Sequence, residues 1–255
     1  MLFDTHAHYD DEQFDTDRRE VLSSLPEHNV SLVLNPASNI DSARKIMSYL
    51  DEFPFLYAAV GTHPHDAARM TDDDLSEFEK MSEHPKVVAI GEIGLDYYYD
   101  NSPRPEQKKR LRDQLALAQN LGLPAILHDR DAHEDTLNIL RQFPRVRGVV
   151  HCYSGSAEMA KRLTDMGWWL SFTGVVTYKN ARRSIETVLS MPRDMLMIET
   201  DSPYLSPLPH RGKRNSSHNL HIVAEKLAEV LKMPADEFAE LTMSNSRRFF
   251  GIKTP

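Results

Sequence analysis

Cysteine is almost missing from this chain, where Cys152 stands alone among 255 residues. No internal disulfide can form, and such usage points to a reducing compartment, the cytoplasm. There is also no apolar run long enough to span a bilayer, and no basic N-terminal region leading into an apolar stretch. Neither a membrane-embedded nor a secreted protein is therefore expected. Positive charge is scarce as well: 30 Lys and Arg face 38 Asp and Glu, for a formal net charge of −8. That balance excludes broad, sequence-independent coating of DNA, which needs a large basic surface. It leaves room for a nuclease, because a metal site brings its own positive charge. Low-complexity linkers, shifts of composition and 20–50-residue repeats are lacking, so residues 1–255 are expected to form one domain, with no obligate protein partner in view.

What is present is a single rhythm. The chain is 40% hydrophobic and 27% charged, an ordinary profile with ample material for a core. Short β-rich runs alternate with longer amphipathic stretches, the signature of repeated βα units around a parallel sheet. Strands are expected at Leu2–His8, Val30–Ala37, Leu56–Thr62, Val87–Leu95, Ala125–His128, Gly148–His151, Trp169–Val175 and Leu196–Thr200. Helical stretches are expected between them, such as Asp41–Phe53, Asp72–His84, Pro105–Leu121 and Ala157–Met166, with a final pair at His218–Leu231 and Ala235–Phe250. Thr71 before three acids, Pro103 and Pro105, and Ser156 supply start signals. Eight βα units suggest an α/β fold of the (β/α)8 TIM-barrel kind; a doubly wound open sheet is the alternative.

Polar residues arrive where these apolar runs stop. In the first run, Asp4, His6 and His8 alternate onto one face of a strand. Two imidazoles at that spacing suit a divalent metal ion, although one buried and one surface histidine would also satisfy the pattern. His63 and His65 follow the third run, Glu92 lies in the fourth, His128 and His151 end the fifth and sixth, and Asp201 follows the eighth. Chemistry in a barrel sits at the C-terminal ends of its strands. His28, His84 and His133 fall instead on helical stretches. Glu92 is embedded in Val87-Val88-Ala89-Ile90-Gly91-Glu92-Ile93-Gly94-Leu95-Asp96, where a carboxylate is costly to bury without a metal or an interior Arg or Lys. Gly91 and Gly94 permit close backbone approach, so Glu92 can reach two metals with its two oxygens. Asp96 is either a partner of a ligand or the start of a loop. Glu199 and Asp201 share a face, with Asp201 the better ligand and base and Glu199 placed to orient a ligating histidine from below.

Together these segments resemble the TatD family of metal-dependent deoxyribonucleases. The resemblance rests on Asp4-Thr5-His6-Ala7-His8, Gly61-Thr62-His63-Pro64-His65, Gly91-Glu92-Ile93-Gly94-Leu95-Asp96-Tyr97, Leu127-His128-Asp129-Arg130-Asp131-Ala132, His151-Cys152-Tyr153-Ser154-Gly155, Glu199-Thr200-Asp201-Ser202-Pro203 and Pro209-His210-Arg211-Gly212-Lys213-Arg214-Asn215. It implies an amidohydrolase-like barrel that hydrolyses DNA phosphodiesters with two divalent ions, Mg2+, Mn2+ or Zn2+. One ion would sit on His6, His8, Glu92 and Asp201, the other on Glu92, His128 and His151. It also implies exonuclease action from the 3′ end. The chain departs from the family pattern after Asn215, where Ser216-Ser217-His218 follow, and at the bulky pair Trp168-Trp169.

A phosphodiester needs cations and hydrogen-bond donors for its non-bridging oxygens. His63, Arg130, Tyr153, Ser154, Arg211 and Lys213 are placed to supply them, with His63 counted beside Asp201 and Glu92 among the catalytic residues. The Arg211–Arg214 loop has a plain alternative as a solvated turn, and Lys108-Lys109-Arg110 reads better as a solvated helix face. Cys152 reads as a packing residue, and Tyr97-Tyr98-Tyr99 either stack on bases or roof the barrel edge. A metallo-amidase, lactonase or phosphotriesterase would use a similar barrel, but many such enzymes bridge their metals with a modified lysine. A catalytically silent nucleic-acid-binding protein is disfavoured by the intact ligand set, because unused buried charge is expensive.

Overall fold

The computed structural model describes residues 1–253. In chain order its elements are β1 (Leu2–Asp4), α1 (Arg18–Ser24), β2 (Val30–Pro36), α2 (Ile40–Tyr49), β3 (Leu56–Val60), α3 (Asp72–Met81), β4 (Val87–Asp96) and α4 (Arg104–Leu121). There follow β5 (Ala125–Arg130), α5 (His133–Leu140), β6 (Gly148–Val150), α6 (Ala157–Asp165), β7 (Trp169–Phe172), α7 (Arg182–Ser190), β8 (Leu196–Ile198), α8 (Leu220–Leu231) and α9 (Ala235–Phe250). The eight strands form one sheet in strict sequence order. Pairs β1–β2, β3–β4, β4–β5, β5–β6 and β7–β8 are parallel. β8 returns to β1, since Thr5 N donates to Ile198 O and Ala7 bridges Ser202 in parallel. This is the order of the expected (β/α)8 barrel and not that of a doubly wound sheet. Among the described residues no helix is long and apolar enough to cross a membrane.

Two compact units make up the chain, each discontinuous in sequence: Met1–Asn35 and Glu52–Leu56 with the segment from Cys152 onward, and Pro36–Asp51 with Tyr57–His151. The first buries Phe3, Tyr9, Phe14, Trp168, Phe238 and Phe249 almost completely. The bulky Trp168 is thus a core residue, while Trp169 lies against Phe249 and beneath Arg248. The second unit buries Phe78, Ile90, Ile93, Leu115 and Leu127. Each such side chain contributes about 1.5–3 kcal/mol by leaving water.

Local signals explain the helices that are easy to read. Thr71 Oγ1 accepts from Asp74 N while Asp74 Oδ2 accepts from Thr71 N, a reciprocal cap on α3. Ser156 caps α6 through Met159 N, and α4 ends at Gly122 in the left-handed region. Helices α1, α5 and α7 have no side-chain cap: their leading residues are Asp17, Ala132 and Ala181. The ends of β1 and β8 also differ from expectation. Regular strand stops at Asp4 and Ile198, because Asp4 turns to bind Thr200 and Asp201 takes a left-handed φ of 55°. The seventh run likewise ends at Phe172, with a 3-10 turn at Gly174–Thr177 capped by Thr173.

β4 and β5 approach more closely than a side chain at Gly94 would allow. A Cβ built there would lie 1.9 Å from His128 O. Gly94→Ala is expected to cost more than about 3 kcal/mol in urea unfolding, beyond ordinary overpacking. Gly212→Ala, where nothing lies within 4 Å and only the φ of +87° resists, should cost about 1 kcal/mol. Equal losses would mean that β4–β5 contact is not what fixes residue 94.

Candidate metal centre

In the first unit, the histidines that follow β1 are held by backbone hydrogen bonds on both sides. Ala7 N donates to Leu34 O at 3.0 Å, His8 N to Ser202 O at 2.7 Å, and Asp201 N to His6 O at 2.9 Å. The result brings His6 Nε2 and His8 Nε2 within 3.1 Å of each other. Asp201 Oδ1 stands 3.8 Å from the first and 3.6 Å from the second. Two facing ring nitrogens and a carboxylate oxygen at these spacings form a donor set for a divalent ion. Glu199 lies deeper, 1% exposed, with Oε1 accepting from Cys152 N at 2.7 Å and Oε2 from Ser171 Oγ at 2.5 Å. Cys152 is half-buried, and its Sγ lies 3.6 Å from Thr173 Oγ1.

Asp4 does not join these donors. Its carboxylate accepts from Thr200 N at 2.9 Å, Thr200 Oγ1 at 2.6 Å and Ser217 Oγ at 2.6 Å. Burial pushes the carboxyl up to about 6, against the pull of those hydrogen bonds. Ser217, where the chain departs from the family pattern, therefore braces the strand that carries His6 and His8. Tyr9 OH donates to the same Ser217 Oγ at 2.8 Å.

In the second unit, three imidazoles converge on one carboxylate oxygen. Glu92 Oε1 lies 2.8 Å from His151 Nε2, 3.0 Å from His128 Nδ1 and 3.4 Å from His63 Nε2. His128 Nδ1 and His151 Nε2 are themselves 3.3 Å apart. Ligand atoms of His63, Glu92 and His128 all fall within 4.8 Å of one another. His128 gives its ring proton to Asp96 through Nε2, so its Nδ1 turns a lone pair toward Glu92, which fits a cation better than a hydrogen bond. Burial lowers His63 to about 4 despite Glu92 beside it. Its Nδ1 accepts from His65 N, which puts the ring proton on Nε2.

Asp96 supports this cluster from its far side. Fully buried, it accepts from His65 Nε2 at 2.8 Å and His128 Nε2 at 3.2 Å through Oδ2. Its Oδ1 accepts from Tyr98 N and Tyr99 N, both at 2.9 Å. Burial alone would raise this carboxyl, but His128, Tyr99 N and His65 together carry it well below the usual carboxylate range. The same pairs pull His128 upward against its own burial. Sequence reasoning left Asp96 undecided and gave His65 no role. Their only signals were a spacing of four from Glu92 within one strand and of two from His63.

The residues expected to touch substrate are distributed unevenly. Arg130 is exposed, its guanidinium 4.0 Å from the Tyr98 ring centre. Ser154 is exposed, whereas Tyr153 is 5% exposed and its hydroxyl donates to Ser156 O at 2.6 Å, within its own loop. Arg211 lies over Tyr178 at 4.6 Å, and Lys213 is exposed. Arg214 is committed to Asp17 by two hydrogen bonds and to Gln13 O, so it does not add to a basic loop. Lys108, Lys109 and Arg110 pair with Asp135, Asp113 and Asp72, as a solvated helix face would. Tyr204, which drew no attention in the sequence, sets its ring 6.4 Å from His8 and donates to Asp11 Oδ2 at 2.6 Å.

With this geometry in place, a family model described as TatD related DNase matches residues 3–251. The chain belongs to the TatD family. It is 45% identical over 254 residues to YabD of Bacillus subtilis, described as an uncharacterized metal-dependent hydrolase, with 99% of this chain and all of that protein covered. It is 36% identical to the metal-dependent hydrolase TatD of Mycobacterium tuberculosis, over 98% of each chain. Among solved structures, the TatD homologue YjjV from Escherichia coli superimposes with a TM-score of 0.92 at 31% identity, covering 99% of this chain and 98% of that one. This TatD-family chain is a metal-dependent hydrolase, and it carries His and Glu groups able to bind a metal ion.

The His63 shift has a measurable consequence in metal-free protein. Its folded pKa lies below the unfolded value of 6.5, so the stability it carries is present above pH 6.5 and is lost as pH falls toward 4. Between pH 7 and 4.5 the wild type should lose about 2–3 kcal/mol more than His63→Asn in urea titrations with EDTA. Parallel losses would show that His63 is protonated in the fold.

Proposed function

We propose that this TatD-family hydrolase is a cytoplasmic deoxyribonuclease, trimming single-stranded or frayed DNA from its 3′ end. The observation that carries the reading is the convergence of His63, His128 and His151 on Glu92 Oε1 within 3.4 Å. His6, His8 and Asp201 would hold one divalent ion, Mg2+, Mn2+ or Zn2+, and Glu92, His128 and His151 would hold a second. Ions so held would supply a nucleophilic water at neutral pH and screen a phosphodiester's charge, and Asp201 would be the base that takes its proton. His63, neutral through its burial, offers its Nε2–H to a non-bridging oxygen. Arg130, Ser154, Arg211 and Lys213 lie exposed to meet flanking phosphates. Tyr153 contributes its ring, since its hydroxyl is already engaged with Ser156. Glu199 keeps its neighbours in place through Ser171 and Cys152.

Two variants separate these roles. Asp201→Asn is expected to abolish turnover, because an amide neither accepts the proton nor ligates well. Glu199→Gln should reduce kcat less at saturating metal, as befits a group that positions others. Equal damage would exchange the two assignments.

Charge sets the substrate. At −8 overall, the chain engages a few phosphates locally and not a long duplex. End-labelled strands, alone, annealed and in a covalently closed circle, should be cut with EDTA sensitivity, free single strands fastest. The salt dependence should correspond to roughly two to four phosphates. Equal cutting of the closed circle would overturn end selection. Cleavage of lactones or phosphotriesters but of no DNA would replace the nuclease reading with that of a small-substrate hydrolase.

A further inference from the structure

We propose that Tyr98 and Tyr99, with Arg130 against them, form a stacking platform for the unpaired nucleobase next to the scissile phosphodiester. The proposal rests on the nuclease reading and adds to it a base-contact subsite.

Three consecutive tyrosines leave β4, and the fold treats them differently. Tyr97 is locked: its hydroxyl donates to Asp135 Oδ2 at 2.7 Å, and Arg104 covers its ring at 4.2 Å. Tyr98 and Tyr99 are 60% and 54% exposed. Among the described residues neither hydroxyl has a hydrogen-bond partner. Their rings meet edge to face, 4.9 Å apart at 89°. The Arg130 guanidinium lies 4.0 Å from the centre of Tyr98 and 4.8 Å from that of Tyr99. No carboxylate among the described residues pairs with Arg130, so its donors remain open to a phosphate.

This exposed cluster is indexed to the donor site and is not a loose loop. Asp96 fixes it, with Oδ1 holding the amides of Tyr98 and Tyr99 while Oδ2 engages His65 and His128. His65 completes the link, its ring 5.4 Å from Tyr99 and 4.3 Å from His63. Asp100 further braces the turn through Arg104. One buried carboxylate therefore sets the distance between the imidazoles that face the reacting phosphate and the rings that face solvent.

Aromatic faces beside an arginine fit a nucleobase and its phosphate, and stacking accepts any base because every base has a π-face. A base inside a duplex has both faces covered by its neighbours, and a terminal paired base is held by its partner and cannot turn onto such rings. The platform therefore selects unpaired termini with little regard to sequence.

The test compares a labelled single strand with the same strand made abasic over its 3′-terminal nucleotides. Wild-type kcat/KM should favour the intact strand by roughly 5- to 150-fold, the range of one stacked base. In Tyr98→Ala/Tyr99→Ala that ratio should fall toward one, mainly through KM, and Tyr98→Phe/Tyr99→Phe should restore it. The rings are exposed, so the melting temperature of the Ala variant should match wild type. Anisotropy of the same strands on metal-free protein gives a second readout. Base-dependent binding lost in the Ala variant, without cleavage by any form, would uphold the platform and refute the nuclease. Cleavage with a ratio of one in wild type, or a ratio the Ala variant leaves intact, would overturn the platform and leave the nuclease standing.

Discussion

Everything at this centre depends on burying a carboxylate in an apolar strand. Glu92 is 3% exposed inside β4, and an isolated charge there would be prohibitively costly. Three imidazole nitrogens answer that cost, drawn from the segment after β3, from β5 and from the end of β6. Those strands must then keep their register, because a slip of one residue would turn each histidine to the opposite face. The pinch at Gly94 serves the same end: β4 and β5 lie so close that His128 is presented at one height only. Chemistry and strand packing are here one constraint.

A second carboxylate shows how the cluster is tuned. Asp96 is as buried as Glu92, yet it is held well below the usual range because it receives two backbone amides as well as two imidazoles. Asp4, equally buried, is pushed up to about 6 with only hydroxyl and amide donors around it. The difference lies in partners and not in depth. His128 adds charge as well as a hydrogen bond to Asp96, whereas Thr200 and Ser217 offer only dipoles to Asp4.

Much of this was legible before any coordinates, for a physical reason. A polar residue that ends or interrupts an apolar run is an anomaly of pattern, and His6, His8, Glu92, His128, His151 and Asp201 are all anomalies of that kind. Helices with side-chain caps, such as α3 and α6, announce where they start; α1, α5 and α7 begin without one. Pairings across large sequence distances were beyond reach. Nothing in the spacing says that Arg214 answers Asp17, or that Asp4 faces Thr200 and Ser217. Strand alternation placed Asp4 with the histidines, and two hydroxyls turned it away.

The bracket around Asp4 also carries a consequence for how the molecule is made. Ser217 and Asp4 stand 213 positions apart, joined at 2.6 Å. At ordinary rates of synthesis, Asp4 leaves the ribosome roughly 10–40 s before Ser217 exists. The histidines translated first are consequently among the last to be fixed. Until the C-terminal third of the chain arrives, the segment that carries His6 and His8 lacks the backbone hydrogen bonds with Asp201 and Ser202 that hold it in the finished protein.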